Sequence, residues 1–204
     1  MKLLIVGPQG SGKGTQAKII AEKLNVPDIS MGGLLRNTEG DLKKEVDSYI
    51  NKGLLAPPEV VVKALKQRIE KQDCENGFVL DGFPRSMEQV RLSEGILDFD
   101  KVVLIDISDE MAVKRLGGRL TCKKCGAVFN INTKLPKQEG ICDYCNSGLY
   151  IRDDDKEEAI KQRLGIYHKE TKPILEKYED KLIRVDGEQD IDKVTEDILK
   201  ELNE

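Results

Sequence analysis

The stretch "KLLIVGPQGSGKGTQAKIIAEKL", residues 2–24, constrains the fold more than any other part of the chain. "KLLIV" is a short apolar run that ends in a glycine loop, as a buried parallel strand does. Behind the loop, Ala17, Ile20, Ala21 and Leu24 recur at i, i+3, i+4 and i+7, which predicts a helix with one apolar face. Strand, loop and helix in this order aim unpaired helix N–H groups and a positive dipole end at an anion. Gly7, Gly10, Gly12 and Gly14 let the backbone curl around phosphates, and Lys13 reaches their terminal groups. One feature departs from the G-x-x-x-x-G-K-[ST] pattern. Position 14 is glycine, and the hydroxyl that would hold magnesium arrives one residue later, at Thr15.

The rest of the chain continues the rhythm. Apolar strands "GFVLDG" and "KVVLID" end in Asp81 and Asp106, and "LIRVDG" precedes a last helix, "DIDKVTEDILKEL". Helices are expected over roughly 59–72 and 86–96, and a long one after residue 155, broken by Pro173. Alternating strand and helix predicts an α/β fold, a P-loop parallel sheet core with helices on both faces. Two segments interrupt it, a helical insert over 30–56 and a turn-rich insert over 118–155, which leaves 1–29, 57–117 and 156–204 as the core. No stretch reaches 18 consecutive apolar residues and no signal-peptide pattern opens the chain, so a cytoplasmic protein is expected. A net charge of −4, no tryptophan and 4% aromatics argue against nucleic acid as a partner.

Asp81 sits where a carboxylate orients magnesium through water in P-loop enzymes. The residues beside it favour it over Asp106. The run "DGFPRSMEQ" supplies a tight turn, the phosphate-matching fork of Arg85 and the amide of Gln89. Together, "GPQGSGKGTQ", "LDGFPRSMEQ" and "RDDDKEEAIKQRL" resemble the adenylate kinase family, and the resemblance covers essentially the whole chain. It implies reversible phosphoryl transfer from Mg-ATP to AMP giving two ADP. Magnesium is then held mostly by phosphate oxygens and water, so a displaced Thr15 is the family's ordinary form.

The resemblance also implies roles. ATP would be held by Gly10, Ser11, Gly12, Lys13, Gly14 and Thr15, with Arg115, Arg119 and Gln189 near the donor. The 30–56 insert becomes the part that binds the acceptor monophosphate. That pocket would draw on Met31, Arg36, Leu54, Leu55, Ala56, Gly82, Phe83, Pro84, Arg85, Gln89, Arg152 and Arg163. Lys13, Arg85, Arg119, Arg152 and Arg163 would be catalytic, Arg152 and Arg163 clamping the transferring group, while Asp154 and Asp155 brace a mobile lid. His168 and Cys74 read as structural.

Cys122-x2-Cys125, sixteen residues, then Cys142-x2-Cys145 has the two-knuckle spacing of a tetrahedral zinc site. Four thiolates leave no open position, so the metal is expected to be structural and the 118–155 insert a zinc-ribbon-like lid. At "DISMGGLLR" the sequence departs from the family: Met31 stands for a threonine that touches the acceptor base, and Gly33 for an aspartate. Leu120 likewise stands where a second arginine is common. Met31 therefore predicts a shallow preference for AMP among acceptors. Two rival readings remain: a nucleoside monophosphate kinase of relaxed base selectivity, and a nucleotide switch whose zinc ribbon binds a partner. The absence of an N-K-x-D motif and the acceptor arginines weigh against the switch.

Overall fold

The computed structural model describes residues 1–37, 40–50 and 54–203, so 38–39 and 51–53 of the first insert lie outside the described residues. The glycine-loop unit forms as the sequence predicts, with β1 (Lys2–Val6) followed by α1 (Lys13–Leu24). Next come β2 (Asp28–Ser30), α2 (Met31–Arg36), α3 (Gly40–Ile50) and α4 (Pro58–Ile69). The chain continues through β3 (Phe78–Asp81), α5 (Met87–Leu92), β4 (Lys101–Asp106) and α6 (Asp109–Gly117). After the second insert, α7 (Glu157–Ile166) leads by a continuous helical path to β8 (Leu182–Asp186) and α8 (Ile191–Leu202).

The main sheet has five strands in the order β2-β3-β1-β4-β8, every pair parallel. Its central strands β3, β1 and β4 are apolar on both faces because helices cover both. Leu3, Ile5, Val79, Val103 and Ile105 face Ala17, Ile20, Val194 and Ile198 of α1 and α8. Leu4, Leu80, Val102 and Leu104 face the opposite cluster, which includes Met31, Leu65, Phe83 and Leu175. Because β1 lies between β3 and β4, the glycine loop opens at the crevice where the strand order reverses. That is where ligands bind in open α/β sheets.

Several boundaries differ from the sequence reading. β2 is a short edge strand with no apolar run to announce it. Helix α4 ends at Ile69, and a separate 3₁₀ turn follows over Gln72–Cys74. Helix α5 stops at Leu92, four residues before the expected 96. The long C-terminal helix changes pitch before Pro173: a π turn spans Tyr167–Thr171, and 3₁₀ geometry then runs over Lys172–Lys181. Pro173 sits at the start of that last segment, where its missing N–H costs nothing.

The 118–155 segment builds a separate antiparallel sheet from β5 (Arg119–Cys122), β6 (Val128–Asn130) and β7 (Leu149–Tyr150), in the order β6-β5-β7. Its apolar core is small: Phe129 with Cys122 and Cys142, edged by Leu120, Ala127, Cys145 and Leu149. Asn130 Nδ2 anchors it to α6 by donating to the Arg115 carbonyl (2.8 Å), and Ile131 N–H donates to the Gly118 carbonyl beside it (2.9 Å).

Candidate active site

The site begins at the glycine loop. Gly10 and Gly12 adopt φ of 87° and 90°, conformations open to glycine and strained for other residues. Gly12 caps α1, and no acidic residue occupies the helix's first turn, so its dipole end is left to an outside anion. Lys13 curls back, its Nζ donating to the Pro8 carbonyl at 3.1 Å. Burial pushes its pKa down to about 8, Asp81 works the other way, and Arg85, Arg163 and Arg119 add to the depression.

Asp81 ends β3 opposite the loop. A Cβ built on Gly14 would lie 3.3 Å from its Oδ2, so carboxylate and loop backbone nearly touch. Its Oδ1 is buried and has no hydrogen-bond partner among the described residues, and the same holds for Ser11 Oγ and Gln9 Oε1. Buried polar atoms ordinarily find partners. An orphaned carboxylate oxygen and hydroxyl beside a phosphate loop fit a hydrated magnesium ion carried in with the nucleotide. Asp106, by contrast, is exposed.

Arg85 is held at three points. Its N–H donates to Gln89 Oε1 (2.8 Å), its Nε to the Gly82 carbonyl (2.8 Å), and its own carbonyl accepts from Thr171 Oγ1 (2.9 Å). Gln89 is itself 2% exposed, locked in place on α5. Gly7, Gln9, Lys13, Gly82–Arg85, Tyr167 and Thr171 line one narrow cavity. Tyr167 and Thr171 went unread in the sequence, because the π turn that swings them inward looks like ordinary helix there.

From the other side come the arginines of the second insert and α7. Arg119 pairs with Asp155 through Nε (2.7 Å) and Nη2, and Arg152 pairs with Asp154 through Nε (2.8 Å) and Nη2. Arg163 joins both carboxylates, at 3.2 Å to Asp154 and 3.1 Å to Asp155. Burial alone would raise the pKa of Asp154, but Arg163 and Arg152 outweigh it and hold the carboxyl below its ordinary value. Burial and the facing charges of Arg152, Arg119 and Arg85 lower Arg36 to about 10, and burial with Arg119 and Arg152 does the same to Arg163. Both stay charged at neutral pH. Lys13, Arg36, Arg85, Arg119, Arg152 and Arg163 thus lie within electrostatic reach of one another, more positive charge than Asp81, Asp154 and Asp155 offset, which suits a polyanion.

Other candidates lie at the margins. Arg115 donates to the Gly187 carbonyl at 2.8 Å, bridging α6 to the turn that carries Gln189, whose own Nε2 bonds Asp186 and Asp197. Leu54 is exposed, while Ala56 is buried in the core cluster. Met31 is 1% exposed, its side chain part of that same buried cluster. His168 lies on the surface with Asp109 at 2.9 Å, and Cys74 is buried beside Arg68 Nη1.

The four cysteines Cys122, Cys125, Cys142 and Cys145 have all their Sγ atoms within 4.8 Å of one another. Each knuckle is followed by a residue in left-handed conformation, Gly126 (φ 71°) and Asn146 (φ 56°). Zinc–sulfur bonds of about 2.3 Å in a tetrahedron require this clustering, so the site could hold zinc.

A parallel sheet, a glycine loop capped by Lys13, a facing carboxylate and a ring of converging cations define a P-loop phosphotransferase. The family model described as "Adenylate kinase" matches residues 5–183. Proteins named "Adenylate kinase" from Caldicellulosiruptor saccharolyticus and Acetivibrio thermocellus are 43% and 44% identical to it, covering 99% and 98% of their own lengths and 99% and 100% of this chain. One from Methanocella arvoryzae is 44% identical, over 97% of this chain and 96% of its own. The chain belongs to the adenylate kinase family. Among the described residues no helix is long and apolar enough to cross a membrane.

Proposed function

We propose that the protein moves the terminal phosphoryl group of Mg-ATP onto AMP, reversibly, giving two ADP. A new bond forms between an AMP phosphate oxygen and the γ-phosphorus, while the bond from that phosphorus to the β,γ-bridging oxygen breaks. The convergence of Lys13, Arg36, Arg85, Arg119, Arg152 and Arg163 on one space carries this reading. A hydrolase or switch needs cations around one triphosphate; here Arg36 and Arg85 add a second group facing Lys13 and the arginines of the second insert.

Phosphoryl transfer asks a protein for position and charge neutralisation more than for covalent chemistry. In this reading the loop N–H groups and Lys13 hold the donor phosphates, with Thr15 at the start of α1 and Arg115, Arg119 and Gln189 around the donor. Arg36 and Arg85 grip the acceptor phosphate, Gln89 and the Leu54–Ala56 backbone bound its base, and Gly82–Pro84 shape the floor. Arg152 and Arg163 reach the transferring group. Magnesium supplies charge neutralisation on the triphosphate, with Asp81 and Ser11 orienting its water shell. Structural zinc at the four cysteines clips the 118–155 segment into a lid, the 30–56 segment is the acceptor-binding insert, and the remainder is core. A four-cysteine zinc site in place of disulfides suits the reducing cytoplasm.

The relaxed-selectivity reading rests on Met31 and Gly33 standing where the family has a threonine and an aspartate; Met31 is buried in the core cluster and offers a base no polar group, and kcat/KM for AMP against other monophosphates tests that reading. A coupled assay that follows ATP consumption with and without AMP tests the proposal. Consumption should require AMP and yield two ADP per AMP, and Arg85→Ala should lower kcat about 10³-fold or more while the protein stays folded. AMP-independent ATP hydrolysis, or normal turnover in the variant, rejects it.

A further inference from the structure

Helix α2 opens Met31-Gly32-Gly33. Each glycine in a helix costs about 1 kcal/mol relative to alanine, so two in one turn of a short helix call for a reason. Neither has a left-handed φ, so backbone conformation does not demand them. Their surroundings differ. A Cβ at Gly33 would meet only Ser30, with Cβ at 3.6 Å and Oγ at 3.7 Å, ordinary contacts. A Cβ at Gly32 would lie 2.9 Å from Arg36 Nη2, 3.3 Å from Nη1 and 3.4 Å from Cζ.

Arg36 stands one turn beyond Gly32, and its side chain folds back along the helix as long helical side chains do. Its guanidinium lies against the bare backbone of Gly32. The other acceptor-side arginine shows the same seating: a Cβ at Gly82 would lie 2.9 Å from Arg85 Nη2. Gly82 needs glycine for its φ of 83° in any case, so Gly32 is the informative position.

We infer that Gly32 is a positioning residue for the acceptor, its missing Cβ forming the seat that aims the Arg36 guanidinium into the site. This rests on the reading of Arg36 as a ligand of the acceptor phosphate. An added methyl would displace the guanidinium without harming the fold, since the atoms it meets are the far end of a flexible side chain and not backbone. The helix should even gain stability from the alanine. Fold and function therefore move in opposite directions.

The test is steady-state kinetics on Gly32→Ala, Arg36→Ala, the double variant and Gly33→Ala, varying AMP and Mg-ATP separately, with melting temperatures for each. Gly32→Ala should raise KM for AMP about 10- to 100-fold, the loss expected when a charge-assisted hydrogen bond is displaced. KM for ATP should stay unchanged and Tm should equal or exceed that of the parent. The double variant should be no worse than Arg36→Ala, and Gly33→Ala should leave both KM values alone. A normal KM for AMP in Gly32→Ala, with a raised one in Arg36→Ala, overturns the seat. Additive losses in the double variant overturn it as well, because Gly32 would then make room for the substrate itself. If Arg36→Ala alone leaves KM for AMP unchanged, the acceptor role of Arg36 fails and the inference falls with it.

Discussion

Lys13 shows how one buried charge ties ligand binding to pH. Burial lowers its pKa to about 8 in the free protein, against 10.5 for an ordinary lysine. A base lowered in this way is charged below its folded pKa and neutral above it. The triphosphate of a nucleotide favours the charged form and raises that pKa again. Between the two values, binding must take up a proton, and affinity must fall as pH rises. Calorimetric titration of Mg-ATP in two buffers of different ionisation heat measures the uptake. It should be small at about pH 7 and approach one proton per site at about pH 9. Lys13→Arg should abolish the difference. Equal uptake at both pH values would show that Lys13 keeps its charge throughout.

Among the elements, the lid depends most on something other than its own packing. Its apolar core is one buried phenylalanine, Phe129, with sulfur atoms around it. Val128, Ile131, Leu135, Tyr144 and Ile151 of this segment are all exposed. Tyr144, between the second pair of cysteines, lies 6.0 Å from Lys18 Nζ on α1, a light contact between lid and core. Four thiolates on zinc stabilise small metal modules by an apparent ~10–16 kcal/mol, far above the stability this core can supply. Elemental analysis should therefore find one tightly held metal per chain. Stripping it, or changing Cys142 and Cys145 to serine, should open 118–155 to proteolysis and lower kcat, while circular dichroism keeps the signal of the main sheet. Metal-free protein with an equally protected lid would refute this. The cysteine cluster was legible in the sequence, because four ligands that could share one tetrahedral ion recur at short, fixed spacings. The main strands were legible for a related reason: both of their faces are apolar. β2 was not, since "DIS" borrows its pairing from Val79–Asp81 and carries little pattern of its own. The π turn at Tyr167–Thr171 was hidden because its residues have ordinary helical propensity and the fold sets the pitch.

At the scale of the whole molecule, the candidate site is a convergence of distant segments, and sequence could name its charged residues, though not Tyr167 or Thr171, without showing how the charges are balanced. The pattern marked Arg119, Arg152 and Arg163 as phosphate ligands and Asp154 and Asp155 as braces. Only the structure reveals that these aspartates are the arginines' counter-ions. The Asp155 side chain is fully buried, shared between Arg119 and Arg163. Removing one partner of a buried ion pair leaves the other uncompensated, at a cost of about 3–5 kcal/mol. Asp155→Asn keeps the shape and removes the charge, so the ligand-free protein should melt several degrees lower. The nucleotide response should move the other way. In the parent, incoming phosphates compete with Asp155 for Arg119 and Arg163; in the variant they meet those charges unneutralised. A ligand that binds only the folded form stabilises it in proportion to its affinity. The rise in Tm on adding Mg-ATP with AMP should thus be larger in Asp155→Asn than in the parent. Its kcat should nevertheless fall, because the arginines are no longer held at the geometry of transfer. Thermal melts with and without nucleotides decide the matter. An equal or smaller nucleotide-induced rise in the variant would mean that Asp155 holds the lid in place without restraining its arginines.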